Sequence, residues 1–590
     1  TGKTEWTAEK ASWVGNPNFN TRPLSNGRWD FFDAVNWVAE GTKKHTAQQN
    51  HSVSVSGGSK AMNYMLSANF YTKDGLLKYG PDSNDRYNIH AKVNTNINKY
   101  IDLGINVQYQ SKEVESSSYG STGLFNLLYS ARGRQSIYNP EGDESGNPYN
   151  GDLQANAIDI MKNGGQKTTK YEAFIGKANL TIKDFVKGLR INLSASRKAG
   201  YYAEQNNRRT LVWKDRFGKN VRNSTNDPNS LYKKKNSDYH DLMEATINYT
   251  FNLQDQHHFN VLAGSSYENY RKDEIDATAK NMNSNDFFSF NYYDTSVATN
   301  TVIGDNIEPW SMMSYFGRVN YNFKERYLLE ANFRYDSSVK WIPGKRWGFF
   351  PSVSAGWRVT EENFFKQNEK LNFISNLKLR ASYGTLGNDG GDDVAYYQYL
   401  SKFTTGTNAV FGSGATGILP GVYPSKGITW ETTTTADVGF DLGLWNGLLS
   451  LEFDYFHKKT SDILMDRKRT IPGTFGATLP KENYAEMVNQ GCEFMLRHDN
   501  KIGNFTYYVS GNFSFARNHY TYIDESANAY EWEIKTGRPI NFITGYIADG
   551  IARTDEDLAG LPLYNGGFEW SKGDIILKDI HGAGGVVCPV

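Results

Sequence analysis

Along most of the chain, apolar and polar residues alternate with a period of two in pairs of segments joined by very short turns, the pattern of antiparallel hairpins with one apolar face. In the first clear pair Tyr87, Ile89, Ala91, Val93, Thr95 and Ile97 share one face, while Asn88, His90, Lys92, Asn94 and Asn96 share the other. A turn at Asn98, Lys99 and Tyr100 leads into Leu103, Ile105, Val107 and Tyr109, with Asn106, Gln108 and Gln110 continuing the polar face. The same alternation returns over 174–182 with 189–195, and over 243–251 with 259–263. Its cleanest form is Tyr315, Gly317, Val319, Tyr321 and Phe323, answered after Lys324, Glu325 and Arg326 by Tyr327, Leu329, Ala331, Phe333 and Tyr335. Further strands are expected over 353–359 and 377–383. Asn446-Gly447 reads as a two-residue hairpin turn between 436–442 and 449–455. With a last pair over 494–496 and 507–515, and short early strands around Val53 and Leu66, the pattern predicts roughly 16 strands of about 10 residues, the length a tilted strand needs to cross a bilayer.

Connections alternate in length as well. Tight turns fall on one side and long polar loops on the other, over about 112–170, 200–239, 272–310, 387–429, 461–487 and 518–575. That asymmetry is the outer-membrane barrel arrangement. A soluble sandwich also alternates, but it favours Greek-key crossings. Here the pairing is strictly up-and-down, and Tyr87, Tyr109, Phe251, Phe323, Tyr327, Tyr335 and Tyr455 are expected at strand ends, where an aromatic girdle meets lipid headgroups. The expected fold class is all-β, an antiparallel up-and-down transmembrane β-barrel. No fixed-period repeat points to a propeller or solenoid.

Composition narrows the function. Among 590 residues, 64 basic side chains balance 64 acidic ones, so no net charge draws the chain to nucleic acid. Nowhere is there the run of roughly 20 apolar residues that a membrane-spanning helix requires. Cys492 and Cys588 are too few for a disulfide scaffold.

Candidate chemistry is sparse. His257-His258 reads as a solvated pair at a tight turn rather than a metal site. The GSGATG stretch at 412–417 lacks the Lys-Ser/Thr and helix of a phosphate cradle, and reads as a loop. Asp389, Asp392 and Asp393 could offer carboxylates to a hard cation, but their spacing is not that of an EF-hand, and a solvated loop is the simpler reading. Trp310, Tyr396, Tyr397 and Tyr399 could stack on sugar rings or equally pack the loops together. No catalytic, cofactor-binding or metal-ligating residue is assigned, no cofactor is expected, the chain is not read as an enzyme, and substrate-binding residues stay open.

Several stretches resemble the SusC/RagA-like TonB-linked outer-membrane transporters of Bacteroidota. They are HSVSVSGGSKAMNYMLSANFYTKDGLL (51–77), RWGFFPSVSAGWRVTEENFF (346–365), LKLRASYGTLGN (377–388), WETTTTADVGFDLGLWNGLLSLEFDYFHKKTSDIL (430–464) and NQGCEFML (489–496). The resemblance implies a barrel of 22 strands with an N-terminal plug, a SusD-like lipoprotein lid, coupling to the TonB-ExbB-ExbD complex through a region N-terminal to this one, and uptake of oligosaccharides across the cell outer membrane. A peptide importer of the same family, and a non-transporting glycan-binding or adhesin β-protein, are the alternatives. The expected organisation is 1–50 a pre-strand segment, 51–517 barrel strands with long extracellular loops, 518–580 an extracellular loop region, and 581–590 an atypical tail. The stretch 573–590 begins like the family's Asp-rich GDI segment and then departs from it at His581, Ala583 and Gly585, as a frameshift or fusion after Ile580 would. The chain is therefore expected to be an internal to near-C-terminal fragment.

Overall fold

The computed structural model describes residues 21–578 except 25, 142, 144, 152–153, 224–225, 392–393, 395, 402, 410–414, 468–478, 526–532, 560 and 562–569. Its main element is an antiparallel sheet of 16 strands, each hydrogen-bonded to the next in chain order. The strands are β1 (Gln48–Gly58), β2 (Met62–Asp74), β3 (Ser83–Asn98), β4 (Ile101–Ser117), β5 (Gly165–Lys183), β6 (Leu189–Arg208), β7 (Ser230–Leu253), β8 (His257–Lys280), β9 (Thr301–Phe323), β10 (Tyr327–Ser338), β11 (Trp347–Arg358), β12 (Ile374–Asn388), β13 (Glu431–Leu444), β14 (Leu449–Met465), β15 (Glu482–Ile502) and β16 (Phe505–Tyr522). Count, order and hairpin pairing follow the alternation: Val55 pairs with Leu66, Val93 with Ile105, and Val319 with Ala331.

Strand length does not follow it. The strands run from 11 residues in β1 to 24 in β7 and β8, not about 10. Beyond the apolar stretch they stay paired without a clean apolar–polar alternation, so hydropathy no longer reports them. The expected loop over 200–239 shrinks to 209–229, and that over 272–310 to 281–300. Tyr109 and Tyr455 consequently lie well inside β4 and β14 rather than at strand ends. The turn at Asn446-Gly447 is also longer than expected. Leu444 pairs with Leu449, which leaves a four-residue connection in which Trp445, Asn446 and Gly447 all have positive φ. Trp445 stays out of the ladder, its backbone N–H donating to the Phe373 carbonyl and its ring 6.3 Å from that of Phe373.

The chain divides into two compact units, residues 1–247 with 266–311 and residues 248–265 with 312–590. In the first, the connection between β4 and β5 is built around a small core. Helices α1 (Trp37–Gly41), α2 (Ser121–Ser130) and α3 (Ala157–Asn163) pack Trp37, Leu124, Leu128, Ile158, Ile160 and Met161 together with Leu77 and Trp213. Gly41 permits this contact, since a Cβ there would come within 2.5 Å of the Leu128 side chain. Asn156 caps α3 by accepting from the Ile158 and Asp159 amides while its own amide donates to the Ile137 and Asn150 carbonyls.

In the second unit a smaller core of Trp341, Phe350, Val394, Ile428, Trp430 and Leu464 ties loop roots to the strand ends. In this unit two short strand pairs stand apart from the main sheet, Phe403–Ala409 with Ala415–Pro420 and Ala548–Ile551 with Ile575–Leu577, as Thr21–Pro23 with Trp29–Phe31 and Val212–Lys214 with Asn220–Asn223 do in the first. The region expected to be loop after residue 517 thus begins as the end of β16 and contains the pair Ala548–Ile551 with Ile575–Leu577. Residues 579–590, on which the expected frameshift falls, lie outside the described residues.

Candidate functional site

The period-two pattern gives the sheet two faces of opposite chemistry. In the second unit, Val319 on β9, Leu329 and Phe333 on β10, Val353 on β11, Leu379 on β12 and Val438 on β13 are exposed on one face. Register continues this face from strand to strand: Leu379 pairs with Phe440, Phe440 with Phe453, Phe453 with Phe494, and Phe494 with Phe513. Aromatic rings bound it at both ends. Toward the short turns, Phe251 stacks on Phe259 at 5.0 Å, Phe259 meets Tyr321 at 4.8 Å, and Phe323 stacks with Tyr327. Toward the long loops, Trp347 stacks with Tyr335 at 4.6 Å and with Tyr315 at 5.8 Å. An apolar band between two aromatic girdles is a lipid-facing surface.

The opposite face is lined by amides, hydroxyls and paired charges. In the second unit a cavity of about 540 Å³ is lined by Asn260, Asn320, Glu330, Ser354, Lys378 and Arg380, among others. The Arg380 guanidinium forks between the carboxylates of Asp441 and Asp454, at 2.8 and 3.0 Å. In the first unit the same face carries a ladder of amide contacts: Asn94 to Asn63 at 2.8 Å, Asn69 to Asn50 at 2.6 Å, His90 to Asn106 at 2.9 Å and Thr181 to Asn192 at 3.0 Å. Farther toward the loops, Lys234 and Lys272 share Glu274 at 2.7 and 3.0 Å, and Lys272 also reaches Glu308 at 3.5 Å. Each amide both donates and accepts, so this wall matches ligands whose groups do the same.

The residues singled out in the sequence separate clearly. His257 and His258 are the first two residues of β8, not solvated turn residues. Their side chains diverge, His257 Nδ1 lying 2.8 Å from the Tyr321 hydroxyl in the girdle and His258 Nδ1 2.9 Å from Asn252 on the polar face. Asp389 is already paired. Its carboxylate accepts from the Ser338 hydroxyl at 3.0 Å and from Lys340 at 3.4 Å, and the ammonium of Lys340 also donates to the Gly391 carbonyl and lies 5.0 Å from the Tyr396 ring. A lysine therefore supplies the cation at Asp389, while Asp392 and Asp393 lie outside the described residues. Tyr397 and Tyr399 meet edge to face at 6.2 Å, so these loop tyrosines pack with each other. Of GSGATG, residues 412–414 lie outside the described residues, and 415–417 are strand rather than loop, with Gly417 pairing Thr407. Cys492 is half-buried on β15 between Tyr455 and Phe515, and Cys588 lies outside the described residues. Trp310 is not in a loop at all. It stands in β9 on the polar face, its ring 5.6 Å from Tyr270 and 5.8 Å from His240. Hydropathy alone could not find that cluster, because its members come from three strands.

Comparison with known proteins decides what this two-faced sheet is. Residues 118–574 match the family described as TonB dependent receptor-like, beta-barrel. The chain belongs to that family. It is 26% identical to the TonB-dependent receptor SusC of Bacteroides thetaiotaomicron over 80% of its own length and 47% of that protein's. A TonB-dependent receptor of Formosa agariphila is also 26% identical, over 78% of this chain and 44% of that one. Among solved structures, the RagAB peptide importer in its closed-closed state superposes with a TM-score of 0.73 at 20% identity, covering 92% of this chain and 60% of that one. This TonB-dependent receptor barrel is thus of the SusC/RagA type, an outer-membrane protein of Bacteroidota character. The chain spans under half the length of the curated relatives it matches. No helix among the described residues is long and apolar enough to cross a membrane.

Proposed function

We propose that this chain is the barrel wall of an energy-coupled outer-membrane importer of oligosaccharides, working with a SusD-like surface lipoprotein as its lid and the TonB-ExbB-ExbD complex as its energy source. The observation that carries the reading is the segregation of faces: a lipid-facing band bounded by girdles backs onto a wall of amides and paired charges, which suits the passage of a neutral cargo rich in hydroxyls. Selectivity of this kind comes from groups lining a path, without covalent chemistry.

The test is genetic. Deleting the full-length gene should abolish growth on at least one oligosaccharide or its parent polymer, and deleting the gene for TonB should give the same defect. Restoring a copy that lacks residues 398–424, which spares the Asp389–Lys340 anchor and the buried Ile428 and Trp430, should leave the protein in the outer membrane without restoring growth. A growth defect confined to peptides would replace the cargo in this reading, and a defect independent of TonB would remove the importer.

A further inference from the structure

We propose that His240, Glu268, Tyr270 and Trp310 form a saccharide-stacking subsite on the polar face of the wall; this rests on the importer reading above and assigns the class of cargo to particular residues. The four come from consecutive strands, His240 from β7, Glu268 and Tyr270 from β8, and Trp310 from β9. On these strands the exposed apolar side chains occupy odd positions, among them Met243, Ile247, Tyr267, Ile275, Ile303 and Ile307, with Val302 at the very start of β9 the one exception among the described residues. The four even-numbered residues therefore face the other way.

Their rings form a triangle. Tyr270 and Trp310 are nearly parallel, with centroids 5.6 Å apart and planes 26° apart. His240 closes the triangle at 5.8 Å from Trp310 and 6.2 Å from Tyr270, edge-on to the latter. All three rings are only half-buried, which leaves apolar ring surface open beside polar atoms. A pyranose has the complementary surface, a C–H face that packs on an aromatic ring and hydroxyls that both donate and accept.

The state of the charges chooses between cargo classes. Glu268 is engaged by His240 at 2.5 Å, Glu274 is shared by Lys234 and Lys272, and Glu308 lies against Lys272. A basic peptide side chain would have to displace one of these partners before it could pair. An acidic ligand would meet three carboxylates and two ammoniums that those carboxylates already engage. A neutral polyhydroxylated ring needs neither, since it can bond to paired carboxylates and ammoniums at their remaining lone pairs and protons.

The experiment uses the detergent-purified full-length protein and two probe mixtures. One holds six neutral hexasaccharides, the α-1,4-, α-1,6-, β-1,3- and β-1,4-linked glucohexaoses, xylohexaose and mannohexaose; the other holds octapeptides containing lysine or arginine. What stays bound after washing is read by mass spectrometry. The wild type should retain a hexasaccharide, and Trp310→Ala or Tyr270→Ala should weaken that retention about tenfold, the effect of losing one stacked ring. Trp310→Phe should recover most of it, and every variant should keep its heat-modifiable gel migration. Equal retention by wild type and Trp310→Ala, selective retention of the peptides, or retention of no hexasaccharide would each overturn the subsite. The importer reading falls separately, if uptake of cargo by cells carrying the wild-type protein does not depend on TonB.

Discussion

Replacing Val353 by arginine should destabilise the barrel far more than the same change one residue away. Val353 is 44% exposed on the apolar face of β11, and Ala331, its neighbour on β10, pairs in turn with Val319 on β9. The girdles set the depth of this row. Tyr327 and Tyr335 lie on the same face of β10 at its two ring levels. Eight residues at about 3.3 Å each, on a strand tilted by roughly 40°, put those levels about 20 Å apart along the membrane normal. Ala331 is midway between them, so Val319 and Val353 lie near the midplane. Leu329, two residues from Tyr327, lies about 5 Å nearer the turn-side interface.

An arginine at the midplane of a barrel costs about 2–4 kcal/mol, falling to about 0–1 near the interfaces. Val353→Arg should therefore lose about 3 kcal/mol and Leu329→Arg roughly half of that. Ser354→Arg points into the polar cavity beside Glu330 and should lose little. The measurement is urea unfolding of the full-length protein in phosphatidylcholine vesicles, with heat-modifiable migration as the check on insertion. Equal losses at Val353 and Ser354, or no difference between Val353 and Leu329, would refute both the assignment of faces and the depth scale.

Three further outcomes follow from the loop cores and the polar wall. Lys340 is only 2% exposed, so Lys340→Ala should leave Asp389 without its cation and destabilise that loop root by about 3 kcal/mol, seen as faster proteolysis within 389–430; adding Asp389→Ser should recover part of the loss. Trp213→Phe removes the indole N–H that lies 2.8 Å from Asp159 Oδ2, and should cost about 1–3 kcal/mol in the loop core, read from thermal melting. Burial pushes the Asp159 carboxyl up, against the Asn163 and Trp213 donors that draw it down. A raised folded value means that its contribution is complete below the ordinary carboxylate range and is lost as pH rises through the folded value, so Asp159→Asn should flatten the pH dependence of Trp213 fluorescence melting.

The sequence legibly reports those parts of the fold where lipid enforces one apolar face. Val319, Leu329 and Val353 show their strands because a polar residue at any of them would meet hydrocarbon, and the up-and-down order follows from the short turns. Beyond the girdle that constraint lapses. Residues 301–310 continue β9 with no hydropathy signature, so Trp310 reads as a loop residue until pairing places it in a strand. The loop cores were hidden for another reason. Trp37, Ile160 and Trp213 meet across long sequence separations, and no local period records such contacts.

A second estimate of the apolar band comes from the first unit and rests on where the charges stop. On the outward face of β5 the even positions read Lys170, Glu172, Phe174, Gly176, Ala178, Leu180 and Ile182, so the charges stop at Glu172 and none follows before the strand ends at Lys183. Phe174 to Ile182 again spans eight residues, the separation between Tyr327 and Tyr335 in the other unit. Charges on this face are paired across strands: Glu172 accepts from the Tyr109 hydroxyl at 2.8 Å, and Arg197 on β6, opposite Gly176 in register, clasps Asp241 on β7 at 2.6 and 2.8 Å. Asp241 is the outward-facing charge that follows the exposed Met243 on β7 toward the loops. Its neighbour His240 points to the polar side at that same height, and Glu268, Tyr270 and Trp310 gather around it. The stacking cluster thus stands on the loop side of the amide ladder, so on the importer reading proposed above a cargo moving inward from the loops would meet the aromatic rings first.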